Sequence, residues 1–495
     1  MGKNRIVLER YQKDDGLEQK KEKRRSVLLT IVLLILLVTV FIISGVGCYL
    51  LGVSNSTAVY ASKADGANKL STILNIMEND WYFASEIDDL DERLVDQALV
   101  GMTTNSEDIH TEYMDADEIK SFFESIDANF VGIGVKVRSN DGYLLVETVY
   151  KNSPADESGM KKGDIIKSVD GMDIYGYEID DVVNMIKGEA NTKVNVGIIR
   201  GMDELSLDII RQQVNTTVEG EMLDNDIAYI GISSFGELTC DQLITYLDEF
   251  KGASKLLLDL RDNGGGHLNS VVDIGSLFIA KDEIIVQQQN ADGSFVNYVS
   301  NGKRIYSFDD IVILVNANTA SAAEVLTLAL DEQLDNVEIV GVNTYGKGTI
   351  QTTVYLADGS ALKYTTGKWN SPSGNNINGT GIEPDVVVEL PDIIRDPFMM
   401  IKDDSTYSYD QVSDYVAQMQ SALAYLGYNV ERFDGYFDLQ TKNVLVQFEN
   451  DYGLVADGIL SQDVNKALFM AVSQQYAKPE SDLQKIEAIN LLVNY

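Results

Sequence analysis

The stretches IVILVNANTASAAEVLTLAL at 311–330 and IVGVNTYGKGTIQ at 339–351 decide how this chain folds. Ile311 to Val315 is an unbroken apolar run rich in β-branched residues, which reads as a buried parallel strand. Asn316 to Ala320 turn, and Ser321 to Leu330 read as a helix favoured by alanine, leucine and glutamate. Ser321 therefore stands at a strand-to-helix corner, where backbone N–H groups are free and the helix dipole favours negative charge. A second apolar strand, Val337 to Val342, leads into Gly346-Lys347-Gly348, whose glycines let backbone and ligand approach closely.

A serine hydroxyl is a poor nucleophile until a base removes its proton. Histidine is the usual base, but the chain has only two, His110 and His267. Lysine can replace it where a dry pocket keeps the amine neutral. Lowering its pKa from about 10.4 to near 7–8 costs roughly 4 kcal/mol. On spacing alone, an N-capping serine and a surface lysine are the favoured reading. TASAAE at 319–324 followed by TYGKGTIQ at 344–351 resembles the carboxyl-terminal processing peptidases, family S41 serine proteases with a serine–lysine dyad. Their usual pattern is S-A-S-A-S-E, and the resemblance implies Ser321 as nucleophile, Lys347 as base and Gln351 as the residue that orients it. Thr319 and Ala323 replace the two outer serines of that pattern, neither of which is the nucleophile.

At 495 residues the chain has room for roughly three domains. Hydrophobic residues make up 45% of it, which suits globular folding. A net charge of −38 argues against a nucleic-acid partner, which demands basic surface. The two cysteines, Cys48 and Cys240, fall in unlike regions, so neither a disulfide nor a zinc site is expected from them. No metal or cofactor is implied.

Residues 1–25 are polar, end in KKEKRR and read as a cytoplasmic tail. The uncharged run from Val27 to Val53 is long enough to cross a bilayer, so 26–53 is expected to be a transmembrane signal anchor. Basic residues before it and acidic bulk after it orient the tail inward and the remainder outside a bacterial membrane. The competing reading is a signal peptide cleaved after Val59-Tyr60-Ala61, although its apolar run would be unusually long.

Residues 67–129 carry helical patterning, with Leu70, Ile73, Leu74 and Met77 and then Leu90, Leu94, Val95, Ala98 and Leu99. They resemble the helical arm of the same peptidases, which in several members forms a dimer, so a homodimer is expected. His110 reads as a structural turn histidine. Phe130-Val131-Gly132-Ile133-Gly134-Val135 then opens a β-rich stretch containing SPADESGMKKGDIIKSVDGMDI at 153–174. Such a glycine turn can aim backbone amides at a carboxylate. The stretch resembles a PDZ domain over 130–213, which implies capture of a protein C-terminus by strand addition at Val131, Gly132, Ile133 and Gly134.

From Ile227 strands and helices alternate. IAYIGISSF at 227–235 and LLLDLRDNGGG at 256–266 match the peptidase pattern, with Gly264 in place of a proline. The glycines could cradle phosphate or merely turn the chain. The resemblance implies instead an oxyanion hole built from the backbone N–H groups of Gly265 or Gly266 with Ala322. His267, next to that loop, is not needed by a dyad. GTGIEPD at 379–385 resembles the family's closing element, so the peptidase core is expected over 214–395.

The segment from Val416 to Leu460 has the pattern Q-x-x-L-x-x-L-G-Y and two Asp-Gly turns, at 434–435 and 457–458. It resembles the three-helix peptidoglycan-binding module of cell-wall enzymes, expected over 411–475, with Glu449 replacing the usual glutamine. Residues 476–495 read as a tail without assigned purpose.

The fold class is therefore multidomain α/β (α+β). A single transmembrane helix and a helical N-terminal arm precede a β-rich PDZ domain, an α/β serine protease core and a small three-helix module. The reading is a membrane-anchored endopeptidase acting outside a bacterial cytoplasmic membrane on protein substrates recognised by their C-termini. Its expected partners are those C-termini, peptidoglycan and the membrane. The alternatives are a non-catalytic PDZ and wall-binding scaffold, and a hydrolase of wall peptide cross-links.

Overall fold

The computed structural model describes residues 66–494 apart from 141, 202, 303 and 304. The segments read as a cytoplasmic tail and a membrane anchor lie outside the described residues. Among those described, no helix is long and apolar enough to cross a membrane. Contacts divide the chain into two units, residues 1–102 and 103–495. The first holds a helix at 66–79, a short 3-10 turn at Ala84–Glu86 and the helix Leu90–Thr103, which buries none of its residues. Leu70, Ile73, Ile76, Val95 and Val100 are exposed there.

In the second unit, the decisive sequence run becomes the strand Asp310–Val315. It lies inside a six-stranded sheet, parallel to Lys255–Asp259 on one side and Val337–Gly341 on the other. Ile311, Ile313 and Val315 face a core filled by the helices Thr239–Glu249, Leu268–Gly275 and Ala322–Gln333. Val312 and Leu314 point the opposite way, onto Ala488 and Leu492. A strand covered on both faces has no use for polar alternation, which is why the run is continuously apolar.

The cover on that second face is the C-terminal helix Leu483–Asn494, so residues read from sequence as a tail without assigned purpose complete the packing of this sheet. The Lys255 ammonium bonds the Leu492 carbonyl, and the Lys485 ammonium lies 3.5 Å from the centre of the Tyr229 ring. Leu492→Ala removes a fully buried side chain from this layer. It is expected to destabilise the core by about 2–5 kcal/mol, read as a lowered denaturation midpoint at unchanged slope.

Ahead of the core, Lys193–Arg200, Ile165–Val169 and Tyr143–Val149 form the heart of a second six-stranded sheet, flanked by the helix Ile179–Ile186. Phe130–Gly132 pairs antiparallel with Gln212–Val214 and so joins the two ends of this domain. The helices Asp414–Tyr425, Leu439–Asp451 and Gln462–Ala477 form the three-helix module. Serine and aspartate side chains at Ser413, Asp438 and Ser461 accept from the first-turn N–H groups of those three helices. Met470 and Phe469 of the module, with Phe398 from the segment before it, cluster with Leu145, Ile165 and Ile199 of the β-rich domain.

The helical pattern expected through residue 129 is broken by a strand. Glu112–Met114 pairs with Ala361–Lys363 and becomes the edge of a five-stranded antiparallel sheet. The helix Ala116–Ile126 follows, capped by the Asp115 carboxylate, which accepts from the N–H groups of Asp117 and Glu118.

Candidate active site

In an open parallel sheet, the loops that leave the carboxyl ends of neighbouring strands converge, and sites form there. Here the loop after Lys255–Asp259 meets the loop after Asp310–Val315. Ala320 N–H donates to the Asn263 carbonyl at 2.9 Å, and the Asn316 and Asn318 amides donate to the Asp262 carboxylate at 2.9 and 2.8 Å. Thr319, which departs from the serine of the family pattern, is fully buried, and its hydroxyl donates to the Leu260 carbonyl at 2.9 Å. The threonine hydroxyl thus ties the two loops together.

Ser321 sits at the corner with φ 56° and ψ −117°. A non-glycine residue in the left-handed half of the map stores on the order of 1–3 kcal/mol, and the surroundings must hold it there. Glu324 does so. Its carboxylate is completely buried and accepts from Ser321 N–H at 2.8 Å, Thr344 Oγ1 at 2.5 Å, Gly346 N–H at 2.7 Å and Lys347 N–H at 2.9 Å. One carboxylate therefore holds both the serine corner and the lysine loop. The sequence spacing S-x-x-E signals a capping box but not the second set of donors, which lie 20 to 23 residues beyond Glu324.

The glycines earn their places sterically. A Cβ on Gly265, at φ 106°, would lie 2.8 Å from the Ser321 Cβ and 2.9 Å from the Ala322 nitrogen. On Gly346, at φ 83°, it would lie 2.6 Å from the Gly381 nitrogen, in the GTGIEPD element. Of the backbone donors expected to face an oxyanion, Gly265 N–H is already engaged, donating to the buried Asn263 Oδ1 at 2.8 Å. The N–H groups of Gly266 and Ala322 have no acceptor among the described residues, since the bridge at Phe235 uses the Gly265 carbonyl and His267 N–H.

Ser321, Ala322, Gly265, Gly266, Lys347 and Gln351 all line one cavity of about 610 Å³. Its walls combine apolar side chains, among them Phe122, Phe123, Ile126, Val325, Ile350 and Trp369, with the charged Lys136, Asp262 and Lys363. Burial lowers the pKa of the Lys347 amine, and the positive charge of Lys363 lowers it further; the carboxylates of Glu112, Glu324 and Asp108 act in the opposite direction. Gln351 Nε2 donates to Thr349 Oγ1 at 2.9 Å and Thr365 Oγ1 at 3.2 Å, and Thr365 Oγ1 donates to Asp108 Oδ1 at 3.0 Å. With that nitrogen committed, the amide oxygen of Gln351 is the atom able to accept from a neighbouring ammonium.

His267 Nε2 lies 3.0 Å from Asp127 Oδ1, and its ring stacks on Phe123 at 6.1 Å. It fastens the helix Ala116–Ile126 beside the cavity. The Asp108 carboxylate accepts from His110 N–H at 3.2 Å and Thr111 Oγ1 at 2.6 Å, which makes His110 part of a turn. Burial lowers the pKa of its ring, and the charge of Lys347 adds to the effect.

Val131, Gly132, Ile133 and Gly134 do not line the cavity, but their neighbours Phe130, Val135 and Lys136 do. Val131 and Gly132 face Gln213 and Gln212 across a ladder. Ile133 is buried in its own domain, and Gly134 accepts from Tyr150 N–H at 3.1 Å. The Lys136 ammonium donates to the Asp262 carbonyl at 2.8 Å, next to the glycine loop.

A serine under backbone strain, a desolvated amine and two unpaired N–H groups on one cavity make a set suited to acyl transfer. Comparisons with known proteins agree with that chemistry. Residues 226–388 match peptidase family S41, 145–200 match the PDZ domain and 412–468 match a peptidoglycan-binding domain. The chain is 34% identical over 457 residues to the carboxy-terminal processing protease CtpA of Bacillus subtilis, covering 90% of this chain and 96% of that protein. It is 31% identical over 453 residues to a probable CtpA-like serine protease of Staphylococcus haemolyticus, covering 91% and 88%. Among solved structures, the photosystem II D1 C-terminal processing protease is similar at 26% identity and a TM-score of 0.42, covering 63% of this chain and 88% of that one.

Proposed function

Because this chain belongs to the carboxy-terminal processing proteases of peptidase family S41, we propose that its serine-type peptidase activity runs on a Ser321–Lys347 dyad. The observation that carries this reading is the Glu324 carboxylate, which fixes the serine corner and the lysine loop at once. Lys347, its pKa lowered by burial, takes the Ser321 proton as the hydroxyl attacks the scissile carbonyl. Gly266 and Ala322 N–H groups receive the developing oxyanion. The ammonium of Lys347 then protonates the leaving amine, and water resolves the acyl-enzyme with the same residues in reversed roles. Gln351 holds the amine of Lys347 through its amide oxygen.

The PDZ domain captures the substrate's C-terminus through the Val131–Gly134 turn, and its neighbours Phe130 and Lys136 border the catalytic cavity. The apolar run at 26–53 anchors the protein in a bacterial cytoplasmic membrane with its catalytic domains outside. The three-helix module holds it to peptidoglycan, and the exposed apolar residues of the 66–102 unit join two copies in a homodimer. An unstructured protein with an apolar C-terminal residue is cut by the fragment from Ala61 onward. Amidating that C-terminus is expected to raise KM about tenfold or more with kcat little changed, because a carboxylate ligand of the turn is lost. An unchanged KM would remove the PDZ domain from substrate recognition. Binding of tails and wall without cleavage of any protein would favour the scaffold.

A further inference from the structure

Two further lysines, Lys136 and Lys363, line the cavity, and the dyad uses neither. Lys363 lines the same wall as Ser321, Lys347 and Gln351, and its side chain is only 13% exposed. It lies on the strand Ala361–Asn370, two residues before Thr365, the hydroxyl that receives Gln351 Nε2. Alternation along a strand therefore points Lys363 and Thr365 to the same face of the sheet. Its ammonium is paired with the Glu112 carboxylate and lies 4.4 Å from the centre of the Phe122 ring. Glu112 reaches this place because its strand joins the sheet beside Lys363, at the register Glu112↔Lys363.

We propose that Lys363 is a positioning residue of the reaction: held on the cavity wall by Glu112 and the Phe122 face, its ammonium sets the electrostatic surroundings in which Lys347 takes the Ser321 proton. Ammonium groups that share a cavity disfavour each other's charge, and Lys136 lines this one too, its own ammonium donating to the Asp262 carbonyl. The pKa of Lys347 is lowered, by burial first and by the charge of Lys363 second. Lys363 has Glu112 and the Phe122 face, whereas the Lys347 ammonium has no carboxylate pair among the described residues. The charged groups that act most on Lys347 are Lys363 together with Glu112, Glu324, Asp108 and the His110 ring, and Lys136, Asp262 and His267 line the same cavity. The Glu324 carboxylate is occupied by four donors, which leaves Lys363 and Glu112 as the opposed pair that a substitution can unbalance. The arrangement also gives a purpose to the strand Glu112–Met114, which supplies the counter-ion.

The inference rests on the dyad reading, and its test separates the two. The pH dependence of kcat/KM is measured on the full chain and on Lys363→Met, Lys363→Arg, Glu112→Gln and Lys347→Ala. In the parent, activity rises with pH as Lys347 loses its proton. Lys363→Met is expected to move that rise upward by on the order of one pH unit, with activity recovered at high pH. Lys363→Arg keeps the parent's profile. Glu112→Gln removes a negative charge and moves the rise downward. Opposite shifts in the two neutralised variants are an electrostatic signature that a packing defect does not produce. A uniform loss in Lys363→Met at every pH, or an unmoved rise in both variants with Lys347→Ala inactive, overturns the role of Lys363 alone. An active Lys347→Ala overturns it together with the dyad.

Discussion

Lys347→Ala lowers kcat by at least about 10⁴-fold with KM little changed, and Ser321→Ala does the same. Without the amine, no group on the cavity is both neutral and within the serine's surroundings to take its proton. His267 is engaged by Asp127, and the carboxylate of Glu324 is filled by its four donors. Because nucleophile and base act as one unit, the double variant is expected to be no slower than either single one. Initial rates on an unstructured protein substrate decide the matter. Retention of more than a tenth of the parent rate in Lys347→Ala would assign the base elsewhere.

Glu324→Ala is the second large effect, although Glu324 touches no reacting atom. Its removal leaves Ser321 N–H, Gly346 N–H, Lys347 N–H and the Thr344 hydroxyl without their acceptor. Ser321 then loses the contact that holds its strained φ of 56°. A displacement of about 1 Å at the reacting groups can cost about 10²-fold in rate, and both groups are affected here. We expect kcat to fall by about 10²–10³-fold. Loss of a buried, fully hydrogen-bonded carboxylate also costs about 3–5 kcal/mol of stability. Glu324→Gln keeps one acceptor oxygen and is expected to lie between the two. Parallel measurement of kcat and the denaturation midpoint separates misplacement from unfolding. A Glu324→Ala protein with parental kcat would show that the corner holds itself.

What was legible in the sequence was whatever depends on neighbours in the chain. The run Ile311–Val315 and the corner at Ser321 could be read because strand, turn and helix follow one another directly. Gly346 and Gly348 announced a tight approach, and the structure supplies its other side at Gly381 and Asn378. The module at 414–477 was legible through its Q-x-x-L-x-x-L-G-Y pattern and its two Asp-Gly turns, whereas its serine and aspartate caps emerge only in the structure.

What depends on distant pairing was not legible. Glu112 meets Lys363 across some 250 residues, so a short strand was hidden inside a segment with helical patterning. The C-terminal helix looks like an unassigned tail until Val312 and Leu314 are seen to need a cover. Side-chain capture of backbone was equally hidden. Nothing in three successive glycines says that Asn263 takes the N–H of Gly265 and leaves that of Gly266. Lys363 carried no signal at all, since an alternating strand disguises which of its polar residues faces inward.

The most direct test of the dyad is to catch its covalent intermediate. The protein is mixed with a peptide p-nitrophenyl ester, quenched in acid within the first turnover and digested for mass analysis. The account predicts an acyl group on the fragment that contains Ser321 in the parent and none in Lys347→Ala. Release of nitrophenol with no adduct, or with the adduct on another residue, would contradict it.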